Sequence, residues 1–131
     1  MAESNSGKRI FIVDDERVVA DITAAILART RFTCRPVYSA EQVLELVPDW
    51  MPDSAFIDVK LPEMNGIDLA IQLSAAYPAC KLSLFSGYIA TSVLLESAMQ
   101  AGHSFDAIAK PVHPDVLLQL AADLSPVIGE T

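Results

Sequence analysis

Three aspartates, a serine and a lysine stand where apolar stretches of this 131-residue chain end. Asp14 and Asp15 follow IFIV (10–13), Asp58 follows SAFI (54–57), Ser86 follows KLSLF (81–85) and Lys110 follows DAIA (106–109). Three carboxylates drawn into one site repel one another, and each raises the others' proton affinity unless a cation joins them. Oxygen donors suit a hard divalent ion. Magnesium takes oxygen ligands in near-octahedral geometry, keeps several waters, and is typically held by one or two carboxylates together with phosphate oxygens. Lys110 adds a compact positive charge for a phosphate, and Ser86 a hydroxyl that donates to a phosphoryl oxygen. The set reads as phosphoryl transfer onto a carboxylate nucleophile, Asp58, with metal and lysine neutralising charge in the transition state. Taken singly, each residue has an ordinary reading: a helix cap for Asp14 or Asp15, a turn aspartate for Asp58, a loop serine for Ser86, a solvated charge for Lys110. A cap explains one aspartate of the pair, not two that face a third from another strand.

The elements that must position these residues are legible as an alternation. IFIV, SAFI and KLSLF are apolar on both faces, as strands covered on both sides of a parallel sheet are. TCRPVY (33–38) and DAIA complete five strands, with Pro36 placing the former at an edge. Helical spacing links Val18, Val19, Ile22, Ala25 and Ile26, then Val43, Leu44 and Val47, then Ile67, Leu69, Ala70 and Leu73, then Val93, Leu94 and Ala98, and finally Val116, Leu117, Leu120 and Leu124. Ser39 with Gln42 makes a capping box, Asn65 with Asp68 a weaker one; Pro114 opens the last helix and Gly102 closes the one before it. The result is an α/β fold of five βα units with right-handed crossovers. All the polar tip residues then fall at carboxyl ends of strands, where an open doubly wound sheet carries its ligand crevice.

Composition sets the limits. At this length and 52% apolar content, one globular domain is expected. Residues 1–7 read as a flexible tail, 8–125 as the domain and 126–131 as a short tail, with no output domain. Nine basic against 17 acidic residues give a net charge of −8, and the basic residues are scattered, so direct binding to nucleic acid or an anionic membrane is disfavoured. No apolar stretch reaches the roughly 20 residues of a membrane span, and the polar start MAESNSGKR has no signal-peptide core behind it. Cys34 and Cys80 lack metal or redox spacing and read as buried free thiols, which fits a cytoplasmic protein. His103 and His113 lack ligand spacing, and Trp50 and Met51 read as packing residues.

IFIVDDE, FIDVKLPEMNG, LFSG and AKP, in this order, resemble the receiver domain of two-component response regulators, from about Lys8 to about Leu124. The resemblance implies a flavodoxin-like, doubly wound five-stranded parallel sheet of order 2-1-3-4-5 with five flanking helices. It implies phosphorylation of Asp58 by a sensor histidine kinase or His-phosphotransfer protein. Magnesium would be held directly by Asp15, through water by Asp14, by the Asp58 carboxylate and by the backbone carbonyl of Lys60. Lys110 would pair with the phosphoryl group, Ser86 would be the switch hydroxyl, and the Lys110–Pro111 peptide would be cis. The switched surface, also a homodimer face, would be the fourth helix, fifth strand and fifth helix, acting on a downstream protein. Apart from self-catalysed transfer to and hydrolysis from Asp58, no enzyme activity is implied.

Two departures from the family pattern stand out. Ala107 occupies the place of the usual aromatic switch, with Phe105 two residues earlier, and Lys60 and Tyr88 lie two past Asp58 and Ser86, where the family tunes phosphoryl lifetime. Ala107 keeps open a pseudo-receiver or dimerisation module with weak phosphoacceptor chemistry. A third reading, an aspartyl-phosphate phosphatase, would need a second carboxylate two residues after the nucleophile, where Lys60 stands.

Overall fold

The computed structural model describes residues 8–29, 32–86, 96, 99, 102, 106–109 and 114–123. In chain order they form β1 (Arg9–Val13), α1 (Arg17–Leu27), β2 (Thr33–Val37), α2 (Ala40–Leu46), β3 (Ser54–Asp58), α3 (Gly66–Ala76), β4 (Lys81–Ser86), β5 (Asp106–Ala109) and α4 (Pro114–Asp123). The strands make one parallel sheet, β2-β1-β3-β4, with β5 paired beyond β4. The doubly wound parallel arrangement expected from the sequence is therefore present, with β2 and its Pro36 at an edge. The helix expected around residues 93–98 lies outside the described residues, apart from Glu96 and Met99, which are helical.

Alternation along the strands divides the core into two layers. Phe11, Val13, Ala55, Ile57 and Leu84 point to the side packed by Val43 and Val47 of the α2 region and by Leu69 and Leu73 of α3. Ile10, Ile12, Phe56 and Phe85 point the other way, against Ala24 and Leu27 of α1, with the Phe56 and Phe85 rings 5.5 Å apart. Every residue of β3 is buried. Burial on both faces is why this strand carries an unbroken apolar run up to its terminal aspartate.

Caps fix the helix entries. Ser39 Oγ accepts from the Gln42 amide at 3.1 Å, and Asn65 Oδ1 from the Asp68 amide at 2.9 Å. The Gln42 side chain reaches back to the Tyr38 amide, one residue short of the reciprocal bond of a full capping box. Gly102 takes a φ of +97° and its amide donates to Met99 O at 3.0 Å, as a helix-ending glycine does. Trp50 stacks on Phe11 with ring centroids 4.8 Å apart, a packing role as expected, whereas Met51 is exposed.

Candidate functional site

The carboxyl ends of β1 and β3 are locked before they present any side chain. The Asp14 amide donates to Val37 O at 3.0 Å, carrying the β1–β2 ladder one residue past the strand, and the Val59 amide donates to Phe85 O at 2.9 Å, doing the same for β3 and β4. Both tips are rigid, as a site that must hold a charged group in place requires. Asp14 and Asp58 are 5% and 7% exposed, while Asp15 is open to solvent. Carboxylate oxygens of Asp14, Asp15 and Asp58 lie within 4.8 Å of one another. Three hard anionic oxygens, two sheltered and one open, are a donor set that fits magnesium and leaves room for its waters.

Local hydrogen bonds shape each carboxylate. Asp14 Oδ1 accepts from the Glu16 amide at 3.0 Å, so this aspartate also steadies the turn into α1; Glu16 itself holds the N-cap position without a side-chain cap bond. Asp58 Oδ1 lies 3.4 Å from the Lys60 amide, which brings the peptide following Val59 beside the proposed acceptor. The Lys60 side chain is exposed.

The start of α3 closes tightly on the β3 tip. The Gly66 amide donates to Val59 O at 2.8 Å, and a Cβ at Gly66 would meet the Asp58 carbonyl oxygen and come within 2.8 Å of Val59 Cα. Glycine is needed here for close approach. The left-handed conformation in this connection belongs to Glu63, with φ 61°, while Val59 and Leu61 anchor the loop in the core.

Of the expected site residues, Asp14, Asp15 and Asp58 come together, and the Lys60 backbone adjoins Asp58. Ser86 is the last residue of β4, opposite Ala109. Ala107 pairs with Leu84 inside β5. Lys110, Pro111, Phe105, Tyr88, His103 and His113 lie outside the described residues. One group at this edge escaped the sequence reading. Tyr38 directly follows β2; its hydroxyl donates to Asp21 Oδ1 at 2.6 Å, and its ring lies 4.1 Å from the Arg17 guanidinium carbon. The hydrogen bond to the Asp21 carboxylate, helped by slight burial, raises the phenol above its ordinary value, against a smaller opposing effect of Arg17. TCRPVY reads as one strand with Tyr38 as its last residue, whereas β2 ends at Val37, and an uncharged aromatic within a strand gives no sign of a site.

A model of the response regulator receiver domain matches residues 10–122. The chain is 31% identical over 114 residues to the alginate biosynthesis transcriptional regulatory protein AlgB of Pseudomonas aeruginosa, covering 87% of this chain and 25% of that one. It is 27% identical over 114 residues to the chemotaxis protein CheY of Thermotoga maritima, covering 86% and 93%. Among solved structures, a CheY-like response regulator receiver domain protein from Methanospirillum hungatei superposes with a TM-score of 0.78 at 30% identity, over 96% of this chain and 100% of that one. The chain thus spans a quarter of AlgB but nearly all of a CheY. With the parallel sheet of order 2-1-3-4 and the acidic cluster at its carboxyl edge, these matches place the chain in the response regulator receiver domain family.

Proposed function

We infer that this receiver accepts a phosphoryl group on Asp58 from a phosphohistidine of a sensor histidine kinase or a His-phosphotransfer protein. The convergence of Asp14, Asp15 and Asp58 within 4.8 Å carries this reading. An Asp58 carboxylate oxygen forms the new O–P bond as the donor's N–P bond breaks, and the imidazole nitrogen leaves with the electron pair. Asp15, Asp58 and the Lys60 carbonyl would hold magnesium, with Asp14 reaching it through water, and the ion would supply positive charge to the phosphoryl oxygens. The buried setting of Asp58 on a fixed tip limits the directions from which water or donor can approach. Lys110, which follows β5 in sequence, takes the role of counter-charge to the phosphoryl group, and Ser86, at the end of β4 beside β3, that of a hydrogen-bond donor. Added negative charge at Asp58 then biases a two-state arrangement of the segment after β4.

The unit comprises residues 8–125, with the sheet completed as 2-1-3-4-5 and five flanking helices. The segment read from the sequence as a helix around residues 93–98, together with β5 and α4, is the proposed output face toward a downstream protein or a second copy. The chain is not assigned an enzyme activity beyond the transfer to and hydrolysis from its own aspartate. Net charge of −8 supports a protein partner rather than nucleic acid, and the free thiols Cys34 and Cys80 support a cytoplasmic setting. None of the described helices is long and apolar enough to cross a membrane.

Incubation with acetyl phosphate and magnesium, followed by intact-protein mass measurement, tests the proposal. One hydroxylamine-labile phosphoryl adduct is expected, absent without magnesium and absent in Asp58→Asn. An adduct that persists in Asp58→Asn, or none together with no beryllofluoride binding, would overturn it.

A further inference from the structure

The turn that carries Asp15 is held at both ends by the junction between β2 and α2. At one end the Asp14 amide donates to Val37 O; at the other the Arg17 guanidinium lies over the Tyr38 ring, whose hydroxyl is bound to Asp21 one helical turn beyond Arg17. Val37 and Tyr38 are consecutive, so backbone bond and side-chain brace close a small loop with Asp15 and Glu16 at its centre. Tyr38 is itself fixed from behind, because its amide donates to Gln42 Oε1 at 3.1 Å in the first turn of α2. The brace also gives the Arg17 cation, two residues from Asp15, a defined seat on an aromatic face.

We propose that Tyr38 is a positioning residue for the divalent-cation site, acting through Arg17 and Asp21 to hold the Asp15 turn where its carboxylate meets those of Asp14 and Asp58. The proposal rests on the metal reading given above. A side chain that orients a ligand without touching the ion commonly changes metal affinity by about 10–100-fold when removed. Tyr38 is one step further out and partly open to solvent, which puts Tyr38→Ala near the lower end, about tenfold. Tyr38→Phe keeps the ring under Arg17 and loses the hydroxyl, with its bond to Asp21 and its weaker interaction with Arg17, so its effect is smaller, about threefold.

The test is a titration with Mn2+, read by loss of the free-ion electron paramagnetic resonance signal, on the full chain and its variants. Mn2+ binding should weaken in the order Tyr38→Phe, then Tyr38→Ala. On an Asp21→Ala background, Tyr38→Phe should have a smaller effect than it has alone, since both changes remove the Tyr38–Asp21 bond and neighbouring contributions of that kind do not add. Thermal midpoints measured without metal separate positioning from folding. A lowered midpoint with unchanged Mn2+ affinity in Tyr38→Ala overturns the proposal, as does an undiminished Tyr38→Phe effect on the Asp21→Ala background. Failure of the underlying reading looks different: the unaltered protein would bind no Mn2+, or Asp15→Asn and Asp58→Asn would bind it as well as the unaltered protein does.

Discussion

Gly66 has to be glycine because its nearest neighbour is the backbone of the proposed acceptor. A methyl group there would press on the Asp58 carbonyl and on Val59 Cα, and neither can swing aside as the end of a flexible side chain would. Gly66→Ala should therefore cost about 1–3 kcal/mol in a urea melt, the range of overpacking a tight interior contact. It should also weaken divalent-ion binding, because the relief must come from the β3 tip. A stability change below about 0.5 kcal/mol, typical of harmless surface substitutions, would refute the contact. In this connection the left-handed conformation falls to Glu63, at φ 61°, and Gly66 takes the close contact. Asp14, Asp15 and Asp58 were readable because a charge that interrupts an apolar run is conspicuous. Tyr38 and Glu63 were not, since an aromatic at the end of a strand-like run and a glutamate in a polar loop interrupt no pattern.

At the scale of elements, the strands were clear and the facing of α1 was not. The apolar spacing suggested Val18, Val19, Ile22, Ala25 and Ile26 as its inner face, yet Val18 and Ile22 are 69% and 55% exposed while Ala20, Ala24 and Leu27 are buried. This helix reads RVVADITAAIL, and its apolar spacing, though clear, is centred on Val18, Ile22 and Ile26 rather than on the small residues that the sheet covers. The sheet decides: Ala24 is small enough to bring the helix close to Ile10, Ile12 and Phe56, and Leu27 packs in the same cluster at its end, with Ala20 buried on the same side of the helix. Ala24→Leu should then destabilise by about 1–3 kcal/mol. Ile22→Ser, on the outer face, should change stability by less than about 0.5 kcal/mol. Chemical denaturation of both variants checks this, and the reverse ranking would restore the orientation suggested by spacing. β3 was the easiest element to read and is the most sheltered; Phe56→Ala should cost about 3–5 kcal/mol because its ring is buried against Phe85.

At the scale of the whole molecule, alkaline pH exposes what the core protects. Burial raises Cys34 and Cys80 to about 11 each, with the Asp53 carboxylate adding to the effect at Cys80. A thiol whose pKa is higher in the folded state keeps its proton there while the unfolded chain loses it, so the folded protein binds more protons between the unfolded value and about 11. Their contribution to stability is complete below the unfolded thiol value of about 8.5 and falls as pH rises toward the folded one. Thermal midpoints should decline across that interval, and Cys34→Ser with Cys80→Ala should flatten the decline. An equal decline in the double variant would assign it to other groups.

The central claim is that the tip of β3 makes Asp58, rather than Asp14 or Asp15, the phosphoryl acceptor. Reducing the phosphorylated protein with borohydride converts an aspartyl phosphate to homoserine, and peptide sequencing by tandem mass spectrometry then locates it. The account predicts homoserine at position 58 alone. Homoserine at 14 or 15 would contradict it, because those carboxylates are assigned here to the metal and not to the phosphoryl group.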